Sequence, residues 1–454
     1  MAINPSINGN RLRPADLVKL LNSTDFGTVV SPAQVYRHFT QAGYRVASTT
    51  DNRCLNLYRY IAWLVDRKNS SEVSITVGPG GYDAHRAAAA QRQADQSLAG
   101  RDIGDLPPVD DPERKESCGL DFRRFCETYF PEVYQLSWSD DHLRAIAKIQ
   151  KAVLDGGLFA LAMSRGSGKS SLTESAAIWA MLYGHREFVV LVGASESAAL
   201  EMLDSIKTEF EVNEHIAADF PAVTYPIKKL EGIANRCAGQ LYNGERTRIT
   251  WTANEIVLPT IAGAASSGVI VRVAGITGRI RGMKFKKPDG RTIRPEFVVI
   301  DDPQTSESAG SIEQTRKRVR VLAGDILGLA GPGKKISGIM PCTVIRPGDM
   351  AEQILDKTKH PEWNGERCKM IYQFPRNEEL WNRYADLRAD ELREKGTFEE
   401  ATEFYRTHRA EMDEGAVVSW PDRHNYDEIS AIQHAMNLKF PDEAAFWAEY
   451  QNDP

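Results

Sequence analysis

One short segment of the chain places glycines, a lysine and a serine at the spacing that holds a triphosphate. Residues 164–170 read Ser-Arg-Gly-Ser-Gly-Lys-Ser. The two glycines allow backbone N–H groups to turn inward toward phosphate oxygens. Lys169 is expected to neutralise the β and γ phosphates, and Ser170 to offer its hydroxyl to Mg²⁺. The residues expected to contact ATP are Ser164, Arg165, Gly166, Ser167, Gly168, Lys169, Ser170 and Ser171.

The sequence around this loop supplies the strand and the helix that a phosphate loop requires. An apolar run, Leu158–Ala162, precedes the loop, and a helical segment from Leu172 follows it. This order separates a phosphate loop from a chance match in a surface loop. The N-terminus of the helix would add the positive end of its dipole. One position departs from the usual pattern, because Met163 stands where a glycine normally begins it.

A pair of carboxylates follows a second apolar run. Phe297–Ile300 leads directly into Asp301 and Asp302. A buried strand would deliver both to the C-terminal edge of a sheet, where nucleotides bind in open α/β folds. Asp301 is the expected Mg²⁺ ligand, through water. Asp302 is expected to orient or deprotonate the attacking water, although aspartate is one methylene shorter than the glutamate usual in this role.

A third apolar segment, residues 335–343, reads as the next strand of the same sheet. It carries polar groups at Ser337 and Thr343, and either is a candidate to sense the γ phosphate. An arginine is also needed to stabilise the transition state of phosphoryl transfer. Arg165 lies within the phosphate loop and is a candidate to act in its own subunit. Lys169, Asp302 and Arg165 are therefore the expected catalytic residues.

These motifs lie in a region that alternates strands with helices. Across residues 118–345 this pattern predicts an α/β domain with a mostly parallel sheet. With the phosphate loop and the acidic pair, the domain is similar to a P-loop NTPase of the ASCE type. A hairpin is predicted within residues 246–259, which alternate in polarity. Residues 346–454 are more helical and more polar, and are expected to form a lid or linker subdomain leading toward a further domain.

The N-terminal residues predict a separate module. Within residues 1–70, helices are expected at Pro14–Asn22, Pro32–Gln41 and Asn52–Lys68. Three short helices with basic side chains resemble a DNA-binding helix-turn-helix, and docking of a protein partner is the alternative. The basic side chains are Arg37, His38, Arg45, Arg53 and Arg59. Residues 71–117 contain a glycine turn and Ala-, Gln- and Asp-rich sequence, and predict a flexible linker.

Composition narrows the class of protein. A chain of 454 residues is long enough for two or three domains. Its net charge of −6 argues against a surface that binds nucleic acid throughout, although a local basic patch remains compatible. The six cysteines lack zinc-site spacing. No apolar run is long enough for a membrane span and no signal peptide is found, which predicts a cytosolic protein.

Together these segments resemble the large subunit of the terminase, the DNA-packaging motor of tailed bacteriophages. The phosphate loop of that family reads Ser-Arg-x-x-Gly-Lys-Ser/Thr, which residues 164–170 match without the leading glycine. Ile280-Arg281-Gly282 resembles the family's Arg-Gly loop, and Gly338–Pro341 its coupling motif. Segments between Phe404 and Pro454 also resemble the family. The resemblance covers about residues 118–454.

The resemblance implies an ATPase that translocates double-stranded DNA into a procapsid in the cytoplasm of the infected bacterial host. It implies ATP and Mg²⁺ as cofactors, a homo-oligomeric ring, and a portal protein and a small terminase subunit as partners. A nuclease domain follows the ATPase in that family. No carboxylate cluster for it is found before Pro454. A truncated chain and a nuclease-free relative remain alternatives, and we expect no DNA cleavage.

The densest basic run is the candidate to contact DNA or to act across a subunit boundary. It consists of Arg279, Arg281, Lys284, Lys286 and Lys287. Contact with the phosphate backbone would be independent of sequence and sensitive to salt. A solvated basic loop or structural salt bridges are the alternatives. For the whole chain, two other functions remain open: a helicase-like translocase unconnected with phage, and a docking or scaffold subunit with little activity alone.

Overall fold

The computed structural model describes residues 8–24, 29–51, 53–72, 100–278 and 280–454. The chain divides into two compact units, Met1–Gln96 and Ser97–Pro454. We call them the N-terminal unit and the main unit. No helix of the described residues is long and apolar enough to cross a membrane.

The N-terminal unit consists of three helices around a small apolar core. They are α1 (Pro14–Asn22), α2 (Pro32–Ala42) and α3 (Leu57–Glu72). A capping box begins α2, because the Ser31 hydroxyl accepts from the N3 backbone and the Ser31 N–H donates to Gln34 Oε1 at 2.8 Å. The first two helices lie where they were predicted. The core residues are Leu12, Leu17, Val18, Val35, Ala42, Val46, Leu55 and Tyr60.

The third helix begins five residues later than predicted, because the chain first doubles back on itself. Backbone hydrogen bonds join Ser48 N–H to the Cys54 carbonyl at 2.8 Å, and Asn56 N–H to the Val46 carbonyl at 2.9 Å. We call residues 46–51 and 53–56 the N-terminal hairpin. It orders residues that the apolar spacing alone had assigned to the start of a helix.

The main unit contains an eight-stranded, mostly parallel sheet, as predicted. The order of its strands is β12-β1-β11-β10-β2-β7-β6-β5. Neighbouring strands from β12 to β7 run parallel. At the other end of the sheet, β6 pairs antiparallel with β7, and β5 pairs antiparallel with β6. The strands of the unit are β1 (Leu158–Ala162), β2 (Phe188–Gly193), β3 (Leu241–Tyr242), β4 (Glu245–Arg246), β5 (Thr250–Trp251), β6 (Glu255–Val257), β7 (Ile270–Gly275), β8 (Phe285–Lys286), β9 (Thr292–Ile293), β10 (Phe297–Asp301), β11 (Ser337–Cys342), β12 (Glu366–Arg367), β13 (Ile371–Gln373) and β14 (Val417–Val418).

The α-helices of the main unit are numbered α4 to α17. They are α4 (Pro112–Ser117), α5 (Phe122–Tyr129), α6 (Asp140–Leu154), α7 (Lys169–Leu182), α8 (Glu196–Val212), α9 (Glu214–Asp219), α10 (Pro221–Lys228), α11 (Ser306–Ala309), α12 (Ile312–Val321), α13 (Met350–Leu355), α14 (Glu378–Lys395), α15 (Glu399–Met412), α16 (Ala431–Lys439) and α17 (Glu443–Glu449). Alternate side chains of one strand enter opposite cores: Val189 and Leu191 pack in one, Val190 and Val192 in the other. Burial on both faces explains why the central strands read as continuous apolar runs.

Two boundaries differ from the predicted domain limits. The main sheet extends past residue 345, because β12 pairs with β1 and α13 packs its apolar residues into the same core. Of the predicted linker, residues 73–99 lie outside the described residues, and residues 100–117 form part of the main unit. The Arg114 guanidinium binds the buried carboxylate of Asp219 at 2.7 Å, and the Ile103 N–H donates to the Leu241 carbonyl at 2.9 Å.

The C-terminal residues form a smaller layer with its own core. Helices α14 to α16 enclose a cluster that includes Trp381, Tyr384, Tyr405 and Met412. A second cluster joins α16 and α17 to the β13–β14 pair through Ala435, Phe446 and Ile371. The predicted hairpin within residues 246–259 is also present, with β5 and β6 joined at the edge of the main sheet.

Candidate nucleotide-binding site

The predicted phosphate loop, residues 164–170, follows the buried strand β1 and ends at the first turn of α7. Gly166 and Gly168 adopt positive φ angles of 75° and 77°, which glycine accommodates without the strain of a Cβ. No side chain caps the N-terminus of α7. Its first N–H groups are therefore available to an anion. The Ser167 hydroxyl is buried without a hydrogen-bond partner among the described residues. These features fit a loop that receives phosphate.

Three neighbouring strands bring the predicted polar residues together. Because β1, β11 and β10 lie side by side and parallel, their C-terminal ends meet at one edge. Lys169 Nζ lies 2.9 Å from Asp302 Oδ2 and also donates to the Thr343 hydroxyl. The Thr343 hydroxyl in turn donates to Asp302 Oδ1 at 3.2 Å. The amine, the hydroxyl and the carboxylate form one cluster around the predicted position of the γ phosphate.

Asp301 lies deeper, beside the first turn of α7. The Ser170 hydroxyl is 3.2 Å from Asp301 Oδ2 and 3.3 Å from Oδ1. Burial, reinforced by the charge of Asp302, raises the pKa of Asp301 to about 6. A carboxylate and a hydroxyl are hard oxygen ligands, of the kind that Mg²⁺ binds. A cation would favour the ionised form of Asp301, so these two residues fit the predicted metal site.

Asp302 has an unusual backbone conformation for its position. Its φ is +34°, in the region that non-glycine residues rarely adopt. The Asp302 N–H donates to the Pro341 carbonyl of β11 at 3.1 Å, which holds this conformation. The side chain remains 43% exposed, whereas that of Lys169 is 11% exposed. Asp302 is thus the acid of the pair that solvent can reach, which suits the predicted role of positioning water.

Arg165 points away from this cluster. Its side chain is 69% exposed and its guanidinium lies 3.6 Å from the Glu449 carboxylate. The Arg165 N–H donates to the Glu449 carbonyl at 2.8 Å. The arginine that the sequence singled out therefore joins the phosphate loop to the end of α17.

A second arginine contacts the loop, and sequence reasoning did not identify it. Arg423 Nη1 donates to the Ser164 hydroxyl at 3.0 Å, and its Nη2 donates to the Arg165 carbonyl. Burial lowers the pKa of this guanidinium, and no carboxylate pairs with it among the described residues. The nearest sequence signal was Ser419-Trp420-Pro421, a segment that resembles the terminase family and ends two residues before Arg423. Arg423 holds the phosphate loop from the C-terminal layer.

Glu174 was also not predicted. It lies one turn after Ser170 on α7 and accepts a hydrogen bond from the Ser205 hydroxyl at 2.7 Å. Burial raises its pKa to about 7, and the charge of Asp301 acts in the same direction. Two acids with raised pKa values therefore lie behind the loop, where a cation would stabilise their charged forms.

A cavity of about 330 Å³ opens beside the loop. Its lining includes Tyr134, Trp138, His142, Ser171 and Trp420. His142 Nε2 is bonded to the Ser167 carbonyl at 2.8 Å, and the Trp420 ring meets the imidazole edge-on at 4.5 Å between centroids. A cavity with aromatic walls next to the predicted phosphate loop is a candidate to receive a planar ring.

Of the two candidate sensors, the structure brings only Thr343 to the site. Ser337 begins β11 and pairs with Phe297 at the opposite edge of the sheet, roughly 17 Å of strand away from Cys342. Gly338 lies beside it, and a Cβ there would come within 2.5 Å of Val298 Cγ1. Ser337 and Gly338 are therefore packing residues at this end, and neither is placed to sense the γ phosphate.

The basic run does not form one continuous patch. Arg279 lies outside the described residues. Arg281 is exposed but pairs with Asp325, and Lys287 is mostly buried and pairs with Glu187 at 3.3 Å. Lys284 and Lys286 are exposed. Two of the predicted DNA-contacting residues thus have structural ion-pair partners, as the salt-bridge alternative proposed.

Comparison with models of known protein families and with curated proteins finds no match to this chain.

Proposed function

We propose that the main unit binds and hydrolyses ATP. The observation that supports this most is the meeting of Lys169, Asp302 and Thr343 at one edge of a parallel sheet, beside Ser170 and Asp301. The uncapped helix and the unpartnered Ser167 hydroxyl support phosphate as the group that this edge receives. A strand between the phosphate-loop strand and the Asp301 strand supports the ASCE type of P-loop NTPase.

In this proposal the residues act mainly by position and charge. Backbone N–H groups of the loop and Lys169 bind the phosphates, while Thr343 orients the lysine amine. Ser170 and Asp301 would hold Mg²⁺, which neutralises phosphate charge when it is bound. Asp302 aligns the water, accepting its proton or holding it in line. Arg423 keeps the loop in its receptive conformation, because it bonds to two consecutive loop residues.

We further propose that hydrolysis drives movement of double-stranded DNA, as in the terminase motors that the sequence resembles. Two features support this reading. The Ser-Arg form of the phosphate loop is retained, and Arg165 joins that loop to the C-terminal layer through Glu449. Lys284 and Lys286 are the exposed members of the basic run and are the candidates to contact phosphates. A ring of subunits, a portal protein and a small terminase subunit belong to the same proposal.

Phosphate release by the purified chain, with and without linear duplex DNA, tests both steps. Lys169→Ala should reduce turnover by at least about 100-fold, because the loop loses the charge that neutralises the triphosphate. Lys151→Ala on α6 is the matched control, since its side chain is 60% exposed and pairs at the surface with Asp155 at 3.2 Å. Equal turnover in the two variants would contradict the ATPase proposal. ATPase activity that duplex DNA never alters would contradict the translocase step alone.

A further inference from the structure

The N-terminal unit is basic within an acidic chain. Residues 1–72 contain nine arginines and lysines against five aspartates and glutamates, a net charge of +4, whereas the whole chain carries −6. An ion pair among the described residues of this unit joins Arg11 to Asp51 at 2.8 Å. The excess of positive charge is concentrated on this one small unit. Such a distribution attracts a polyanion to that unit rather than to the chain as a whole.

Helix α2 has one face packed into the core of this unit and an opposite face exposed to solvent. Val35 and Ala42 are buried, and His38 Nδ1 is bonded to the Tyr60 hydroxyl of α3 at 2.8 Å. The opposite face carries Ala33 and Arg37, both exposed, one turn apart in the N-terminal half of the helix. No ion-pair partner of Arg37 is found among the described residues. A helix that enters a major groove reads bases with residues in this part.

Further arginines follow α2 directly in the chain. Arg45 ends the short turn after the helix, and Arg53 lies in the N-terminal hairpin that comes next. Both are exposed, and neither has an ion-pair partner among the described residues. A helix with an arginine on its outer face, followed by a basic turn and a basic hairpin, can contact base edges and backbone phosphates together. This arrangement is compatible with a helix-turn-helix with a hairpin wing.

We propose that the N-terminal unit binds double-stranded DNA with sequence preference, placing α2 in the major groove. Arg37 reads a base edge, with guanine as the partner that its guanidinium fork fits best. Arg45 and Arg53 contact phosphates and supply affinity without specificity. The proposal rests on the N-terminal unit alone, and it holds whether or not the main unit hydrolyses ATP. In a packaging motor, it would let the ATPase chain itself select the DNA on which it begins.

The test is selection of duplexes with a randomised 20-base-pair centre by the full chain, without ATP and with excess unlabelled competitor DNA. We expect one motif to be enriched. Arg37→Ala should weaken binding of that motif about 10-fold, or about 1.4 kcal/mol, because it removes one bidentate contact to a base. Arg37→Lys should retain binding of unselected duplexes and lose preference at one base pair, because it keeps the charge without the fork.

Lys19→Ala, an exposed charge of the same unit on α1, is the matched control and should change affinity less than about 2-fold. Thermal unfolding of each variant identifies any that fails to fold. If Arg37→Ala does not fold, the comparison of Arg37→Lys with the wild type tests the proposal. Enrichment of no motif would overturn the proposal, and binding of a protein to α2 without duplex binding would overturn it in favour of docking. A motif bound equally by the wild type and both Arg37 variants would also overturn it. Failure of the ATPase proposal would appear separately, as turnover unaffected by Lys169→Ala.

Discussion

Replacing Asp301 by asparagine should make the protein more stable while it removes Mg²⁺-dependent ATP turnover. Asp301 is largely buried beside Asp302, and burial is the main reason that its pKa rises from 3.8 to about 6. Holding this carboxylate ionised therefore disfavours the folded state. Asparagine has nearly the same shape and can still accept the Ser170 hydrogen bond. The substitution removes the buried charge without opening a cavity.

The size of this gain in stability and its pH dependence follow from the pKa of Asp301 in the folded and unfolded states. A difference of about 2 between folded and unfolded pKa corresponds to about 3 kcal/mol when the group is ionised in both states. Because the folded pKa is the higher one, the penalty is nearly absent below about pH 4 and grows as the pH rises toward 6. The variant should therefore gain up to about 3 kcal/mol in unfolding free energy at pH 8, about half of that at pH 5, and little at pH 4.

Urea unfolding of both proteins at these three pH values, without nucleotide or Mg²⁺, measures the difference. Asp302→Asn is the matched control. This neighbouring carboxylate is 43% exposed and pairs with Lys169 at 2.9 Å, so its loss should give no gain in stability. A variant Asp301→Asn that is less stable than the wild type at pH 8 would refute the reasoning. So would a gain of the same size at pH 4 and pH 8.

Three further outcomes are expected. Arg423→Ala should weaken binding of a fluorescent ATP analogue about 10-fold, because two charge-assisted hydrogen bonds to the loop are lost. Arg406→Ala is the control, since it removes an exposed ion pair with Glu403 and should leave the affinity unchanged. Equal affinities of the two variants would contradict this prediction. Thr343→Val should lower the rate of phosphate release about 10-fold, because Lys169 loses the hydroxyl that orients its amine, while affinity for the ATP analogue stays nearly unchanged. An unaltered rate would show that Lys169 does not need the Thr343 hydroxyl. Arg114→Ala should lower the unfolding free energy by about 2–4 kcal/mol, since it leaves the carboxylate of Asp219 buried without its charge partner, and urea unfolding measures the loss.

The local part of the site was predictable from sequence because it depends on short segments. A run of apolar residues, two glycines and a lysine specify strand, turn and helix within about a dozen residues, so the loop and Lys169 could be located. Asp301 could be placed at a strand end for the same reason. The mostly parallel sheet followed from continuous apolar strands separated by helices, a pattern that burial on both faces imposes.

Only the tertiary structure decided which distant residues complete the site. Arg423 lies 259 residues from Ser164 along the chain, and no periodicity in the sequence relates the two. The direction of β11 determined that Thr343, and not Ser337, lies next to Lys169, since one strand presents its two ends at opposite edges of a sheet. Ion pairing of Arg281 and Lys287 and the raised pKa of Asp301 likewise depend on neighbours that folding supplies. Local sequence specifies which groups the candidate site contains, and long-range packing specifies their partners, burial and charge.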